Sequence, residues 1–246
     1  MNIMDLILLL AGVIATVFVL APHEYAHAFV AYKCGDGTAK AMGRLTLNPI
    51  KHLDPIGFLC CAFVGFGWAK PVPVNPYNFK NYRCGLFLTA IAGVCANYII
   101  AFVAYLVFAL VDHFVFNDII TVDNGMIMYY TDGALGYLGI TVCLIFYLIY
   151  AYSLSVFVFN LLPLNPLDGF RIVEACTREL NPVRRFLNDY GQMILIILVV
   201  ESYICTIVGN YADWVNNFNI LNYVMNFATE IIGFPIKAAW DWIFAL

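Results

Sequence analysis

Ile3-Met4-Asp5-Leu6-Ile7-Leu8-Leu9-Leu10-Ala11-Gly12-Val13-Ile14-Ala15-Thr16-Val17-Phe18-Val19-Leu20-Ala21-Pro22-His23-Glu24-Tyr25-Ala26-His27 is the stretch that decides the fold. It holds an apolar run long enough to cross a bilayer, and the H-E-x-x-H pattern His23-Glu24-Tyr25-Ala26-His27 stands at its far end. On a helix, His23 and His27 are one turn apart and point the same way. Two imidazoles can then hold one zinc ion while Glu24 reaches a water bound to it. The alternative is a pair of buried histidines in a helical bundle. Lipid weakens that alternative, because two His and a Glu within one span are costly to bury and are functional by default.

The chain is 63% hydrophobic and 11% charged, a balance too apolar for the surface of a water-soluble domain. It reads as an all-α polytopic membrane protein, with length for one bundle of about four to six transmembrane helices. There is no soluble appendage, internal repeat or low-complexity linker, so residues 1–246 are expected to form a single membrane-embedded domain. The lipid bilayer is the expected surrounding partner, and nucleic acid is not expected. Met1-Asn2-Ile3-Met4-Asp5 lacks the basic segment of a secretory signal peptide, and cleavage after the next helix would destroy the motif, so retention is expected. The eight cysteines are scattered, with Cys60-Cys61 adjacent and no C-x-x-C, which argues against a disulfide framework or a cysteine zinc site. They suit small apolar positions in the membrane.

Hydropathy places spans over about 3–33, 85–111, 135–162 and 191–209, a short apolar stretch at 56–68 and an ambiguous segment after 224. Lys33, Lys40, Arg44, Lys51, Lys70, Lys80 and Arg83 lie between the first two long spans, and Arg171, Arg178, Arg184 and Arg185 follow the third. These segments are expected to be cytoplasmic, whereas the stretch 112–132 holds Asp112, Asp118, Asp123 and Asp132 and no Lys or Arg. Because both flanks of 56–68 are basic and the stretch is short, a re-entrant segment is favoured over a crossing, with a tilted hairpin as the alternative.

That orientation brings His23 about 30 Å from Ile3, close to the cytoplasmic edge of the hydrocarbon. A third metal ligand should come from the same edge. Asn160-Leu161-Leu162-Pro163-Leu164-Asn165-Pro166-Leu167-Asp168-Gly169 supplies one: Pro163 and Pro166 cannot continue a regular helix, and Gly169 permits a backbone turn that aims Asp168 back into the bundle. Taken alone, Asp168 also fits an ordinary helix stop with a solvated carboxylate. Its matching depth decides for the metal.

H-E-x-x-H on a membrane helix, followed far downstream by N-x-x-P-x-x-P-L-D-G, resembles the site-2 protease family, the intramembrane zinc metalloproteases of peptidase family M50. The resemblance covers most of the chain. Gly43-Arg44-Leu45-Thr46-Leu47-Asn48-Pro49, Lys51-His52-Leu53-Asp54-Pro55-Ile56-Gly57 and Gly67-Trp68-Ala69-Lys70-Pro71-Val72-Pro73-Val74-Asn75-Pro76 are similar to the compact bacterial and archaeal branch without PDZ or CBS domains. Two positions depart from the family pattern: Val94 stands where A-G-P is usual, and Asn165 where proline is common.

The resemblance implies a multi-pass enzyme of a bacterial or archaeal cell membrane, with its active site near the cytoplasmic side. Its zinc would be held by His23, His27 and Asp168, with Glu24 as the catalytic base. The implied substrate is a transmembrane protein, and the implied reaction is hydrolysis of a peptide bond in or near its membrane-spanning helix. Regulation would have to come from a separate membrane protein. Such a substrate helix must be unwound, and residues 38–48, with Thr46 at their apolar end, suit one edge of a small β-hairpin near the active site, or else a surface loop. Asn160 is a candidate for substrate or oxyanion contact, or a helix cap. His52 offers a further metal or substrate contact, or a backbone-bonded loop histidine. Asn97 could touch substrate, but a bond across the bundle suits it better, and Glu201 suits pairing with a neighbouring helix better than a gate. The tail from 217 suits an interfacial helix. A transporter lacks support because no paired broken helices recur. A catalytically inactive scaffold would have lost a ligand or the base, and all four residues are present.

Overall fold

The computed structural model describes residues 3–57, 60, 67–116, 120–123, 126–129, 133–209 and 211–244. Its long elements are α1 (Ile3–Cys34), α3 (Tyr82–Phe116), α4 (Gly133–Leu161), α6 (Pro182–Gly209) and α7 (Ile220–Phe244), with the short helices α2 (Thr38–Ala41) and α5 (Asp168–Cys176) between them. Among the described residues, α1, α3, α4 and α6 are long and apolar enough to cross a membrane. The four long spans expected from hydropathy therefore correspond one to one with helices.

Helices α1, α3 and α4 form the packed centre, and small residues set how closely they approach. On α1 the buried positions Ala11, Ala15, Val19, His23, His27 and Ala31 recur every four residues. This is the row that a helix presents to one neighbour. On α3, Gly85, Thr89, Gly93, Asn97 and Ala101 make a matching buried row. Alanine and glycine at these positions let the backbones approach, which is where membrane helices gain dispersion energy when lipid removes the hydrophobic drive. Above the rows, Ala15, Val19, Ala101, Ala104, Ile149, Tyr150 and Leu154 close one cluster, and Ala11, Phe108, Ile140, Cys143 and Leu144 another.

Helix α7, expected to be interfacial, is not among the described helices long and apolar enough to cross a membrane. It packs on the bundle, with Ile236 fully buried in the same cluster as Val19 and Leu154 and Trp240 Nε1 donating to Phe102 O over 3.2 Å. Glu201 Oε1 accepts from Cys205 Sγ and from Ile220 N, over 3.4 and 3.3 Å, so it joins α6 to the first turn of α7.

The β-hairpin expected beside the active site over 38–48 is not formed. Thr38–Ala41 is a helical turn instead, because the Asp36 carboxylate accepts from Thr38 N (3.1 Å) and Ala and Lys favour helix. The turn ends at Gly43, whose φ of 66° lies in the left-handed region. A two-stranded antiparallel ladder does occur, pairing Ile120–Asp123 with Met126–Tyr129, but it follows α3 at the opposite end of the bundle. The re-entrant segment expected at 56–68 falls largely on 58–59 and 61–66, outside the described residues. Its flanks lie side by side, joined by an antiparallel bridge between Leu53 and Ala69 and by Lys70 N donating to His52 O over 2.8 Å.

Candidate metal centre

The buried row of α1 ends in the two histidines. Their Nε2 atoms are 3.0 Å apart, and Asp168 Oδ2 lies 3.4 Å from that of His23 and 3.0 Å from that of His27. All three side chains are buried, and among the described residues they are the group of three whose ligand atoms could hold one ion. A tetrahedral zinc with bonds of about 2.0–2.1 Å requires ligand atoms about 3.3–3.4 Å apart, close to these separations.

Two further observations fit a cation. Asp168 Oδ2 is buried with no aligned hydrogen bond despite its two close nitrogens. A carboxylate left so in a bundle costs several kcal/mol without a positive partner. Gly93 faces the cluster, and a Cβ there would stand 2.4 Å from His27 Nε2 and 2.7 Å from His23 Cε1. The missing side chain makes room beside both histidines.

Each element places its residue for a local reason. Pro22 lies inside α1 just before His23 and has no N–H to bond the preceding turn. Helix α4 stops at Leu161, before Pro163, and Asp168 begins α5 after Leu167, where a helix N-terminus favours a carboxylate. Gly169 differs from expectation in its reason. It is not among the residues with positive φ; instead a Cβ would meet Leu162 O at 2.3 Å and Leu161 O at 2.4 Å. Close backbone approach, rather than an unusual turn, requires glycine there.

The facing row of α3 serves both imidazoles. His27 Nδ1 is 2.7 Å from Thr89 O, and His23 Nδ1 is 3.1 Å from Asn97 Nδ2. Asn97 is therefore beside the metal cluster and fully buried. The contact of Thr89 is made by its carbonyl, which no residue-type pattern could have flagged.

Glu24, half-buried, accepts a hydrogen bond at Oε2 from Val72 N over 2.8 Å. The strap carrying Val72 is fixed on both sides. Buried Arg44 donates from Nη2 to Lys70 O (2.6 Å) and Pro71 O (3.3 Å), and Asn75 N donates to Asp36 Oδ2 (2.7 Å). Asp36 Oδ1 also takes Thr38 Oγ1 (2.5 Å) and Asn78 Nδ2 (2.8 Å). Burial raises the Asp36 carboxyl, but these hydrogen bonds outweigh it and hold it below the ordinary carboxylate range. Sequence reasoning missed Asp36, Arg44 and Val72 as supports. The signals available, two charged residues in the segment after α1 and a valine between two prolines, do not name their partners.

The remaining candidates stand elsewhere. His52 is buried and its Nε2 is 2.7 Å from Thr46 O, while Asn160 Nδ2 donates to Val156 O (3.0 Å) within its own helix. Among the described contacts none of the three bonds the His23–His27–Asp168 cluster. The two departures from the family pattern are absorbed locally. Val94 is buried in α3, and a Cβ on Gly191 of α6 would come 2.7 Å from Asn165 N.

Fold and donor set together define a metalloprotease of the membrane. The model of peptidase family M50 matches residues 11–201, and the chain belongs to that family. The family is zinc-dependent, and the protein is an integral membrane protein with zinc as its cofactor. The chain is 39% identical over 207 residues to "Putative zinc metalloprotease YwhC" of Bacillus subtilis (strain 168), covering 82% of this chain and 83% of that protein. It is 28% identical over 204 residues to "Putative zinc metalloprotease Rip2" of Mycolicibacterium smegmatis, covering 79% of this chain and 67% of that protein. No solved structure gives a significant match.

Proposed function

We propose that the protein hydrolyses a peptide bond in or near a membrane-spanning helix of a membrane protein substrate. The observation that carries this reading is a buried His23–His27–Asp168 cluster set among apolar helices, with the Glu24 carboxylate one residue along from a ligand. His23, His27 and Asp168 hold the zinc, which when bound activates water and polarises the scissile carbonyl. Glu24 takes the proton of the attacking water and delivers it to the leaving amine. The Val72 N–H holds one oxygen of Glu24, and the other is free of that bond to act as the base.

Placement inside a bundle selects the substrate. A soluble chain would have to enter between lipid-facing helices, whereas a membrane segment arrives there by lateral diffusion. A cavity of about 110 Å³ lined by Val74, Leu86, Thr89, Arg171 and Glu174 lies next to the residue that supports His27, with room for a few waters. Water held there would stand near the bundle end that carries the cluster. The basic loops support a reading in which that end faces the cytoplasm, in a bacterial or archaeal cell membrane. Residues 1–246 act as one domain in this reading, and regulation comes from a separate membrane protein.

The test is cleavage of a panel of membrane-spanning peptides by detergent-purified protein containing about one zinc per chain. Products absent from a Glu24→Gln control support the reading. Cleavage of soluble peptides with none of the spanning ones would overturn it.

A further inference from the structure

Asn97 sits on α3 with no exposed surface, one end of its carboxamide 3.1 Å from His23 Nδ1 and the other end, Oδ1, buried without a partner. The end facing the imidazole is the donor Nδ2. That arrangement makes Nδ1 of His23 the accepting nitrogen and puts the ring proton on Nε2, which is 3.0 Å from His27 Nε2. A cation on Nε2 reverses the requirement. The proton must then sit on Nδ1, and an imidazole that ligates through Nε2 needs an acceptor for it. His27 already has one, since its Nδ1 faces the carbonyl of Thr89, which can only accept.

We propose that Asn97 is the positioning residue of His23 and that its carboxamide turns over with the metal. Nδ2 donates to Nδ1 when Nε2 holds the proton, and Oδ1 accepts from Nδ1–H when Nε2 holds zinc. A half-turn about the terminal bond exchanges the two ends with little change of shape, so no backbone need move in a packed bundle. An amide serves both ring tautomers, which a carbonyl, carboxylate or aliphatic side chain does not. The two histidines are thus held unequally: His27 is fixed in the zinc-binding tautomer by the backbone, whereas His23 is released into it by a side chain. This rests on the zinc site assigned under the proposed function and goes beyond it by giving Asn97 a role toward the metal rather than the substrate.

The experiment is zinc affinity in detergent, read by competition with a chromophoric chelator, for wild type, Asn97→Leu and Asn97→Asp, with thermal melting of the zinc-stripped forms as the check on folding. Asn97→Leu keeps the volume and offers no acceptor, and is expected to bind zinc about 10–100-fold more weakly. Asn97→Asp offers only acceptors and is expected to bind at least as tightly as wild type. Leu binding within twofold of wild type, or Asp weakened as much as Leu, overturns the proposal while leaving the metal site intact. Wild type that takes up no zinc overturns the metal site itself. Should Asn97→Leu fail to fold, nitrogen-15 spectra of zinc-stripped and zinc-loaded wild type decide: the His23 proton is expected on Nε2 without zinc and on Nδ1 with it, and a proton already on Nδ1 in the stripped protein refutes the turnover.

Discussion

Val72 N donates to Glu24 Oε2 over 2.8 Å, and it is the single N–H in the triplet Pro71-Val72-Pro73. Proline has no N–H and biases the residue before it toward extended backbone. The one donor of the triplet is therefore spent on the carboxylate beside the metal ligands, and neither neighbour can replace it. Val72→Pro is expected to lower kcat about 10–100-fold, the loss of one hydrogen bond to a charged group, with zinc content and KM nearly unchanged. Val72→Ala keeps the N–H and should stay within about threefold of wild type, since it removes packing but not the bond. Equal losses in the two variants would remove the hydrogen bond from the account.

Roles within the cluster separate by metal content. Glu24→Gln is expected to abolish cleavage while keeping zinc, because the carboxylate acts on water rather than on the ion. His23→Ala, His27→Ala and Asp168→Ala each remove a ligand atom from a set whose members lie within 4.8 Å of one another, and should lose both zinc and cleavage. Metal analysis beside an activity assay is sufficient, and full zinc occupancy in Asp168→Ala would reassign the third ligand.

Gly93→Ala tests the room around the metal. Its methyl would stand 2.4 Å from His27 Nε2, so zinc binding and cleavage are expected to fall together, by a hundredfold or more in affinity on the order of 3 kcal/mol. Gly37→Ala, where a Cβ meets nothing within 4 Å, is the matched control and should retain both. A zinc-replete, active Gly93→Ala would mean that the row on α3 yields easily.

Asp36 gives the strap a pH dependence. Its folded carboxyl titrates below the ordinary value of about 3.9, so its stabilisation is complete above that value and is lost as pH falls through the lower, folded one. Asp36→Ala should cost about 2–4 kcal/mol at neutral pH by stranding its donors, seen as a lower melting temperature in detergent. The gap between variant and wild type should close as pH falls below 4. A gap that widens on acidification would reverse the sign and refute the assignment.

The distribution of Lys and Arg makes a prediction about sidedness. In a cysteine-free background, a membrane-impermeant thiol reagent added outside should label a cysteine at position 124 and not one replacing Tyr77, which is 88% exposed. The opposite pattern would move the metal site to the outer face.

The sequence by itself determined the membrane class and the four long apolar helices, and it picked out His23, His27 and Asp168, which the structure brings together, with Glu24 beside them. Each of these is written locally: hydropathy over about 20 residues specifies a span, and His23 and His27 at four-residue spacing must share a helix face whatever surrounds them. Asp168 was legible because the closely spaced Pro163 and Pro166 break the helical run just before it. Tertiary structure decided what those residues touch. Thr89 contributes a carbonyl, which carries no residue identity; Gly93 contributes the absence of a side chain; and Asp36 acts through donors at Asn75 and Asn78, some forty residues away. The segment 38–48 was misread because Leu45-Thr46-Leu47 has a strand composition, whereas the preceding turn is set by the Asp36 carboxylate and the break at Gly43. Where α7 sits on the bundle was likewise decided by contact, through Ile236 and Trp240 against α3 and α4. Local pattern specifies which groups a chain carries and how they repeat, while contact between distant segments depends on shape and donor geometry that no single stretch contains.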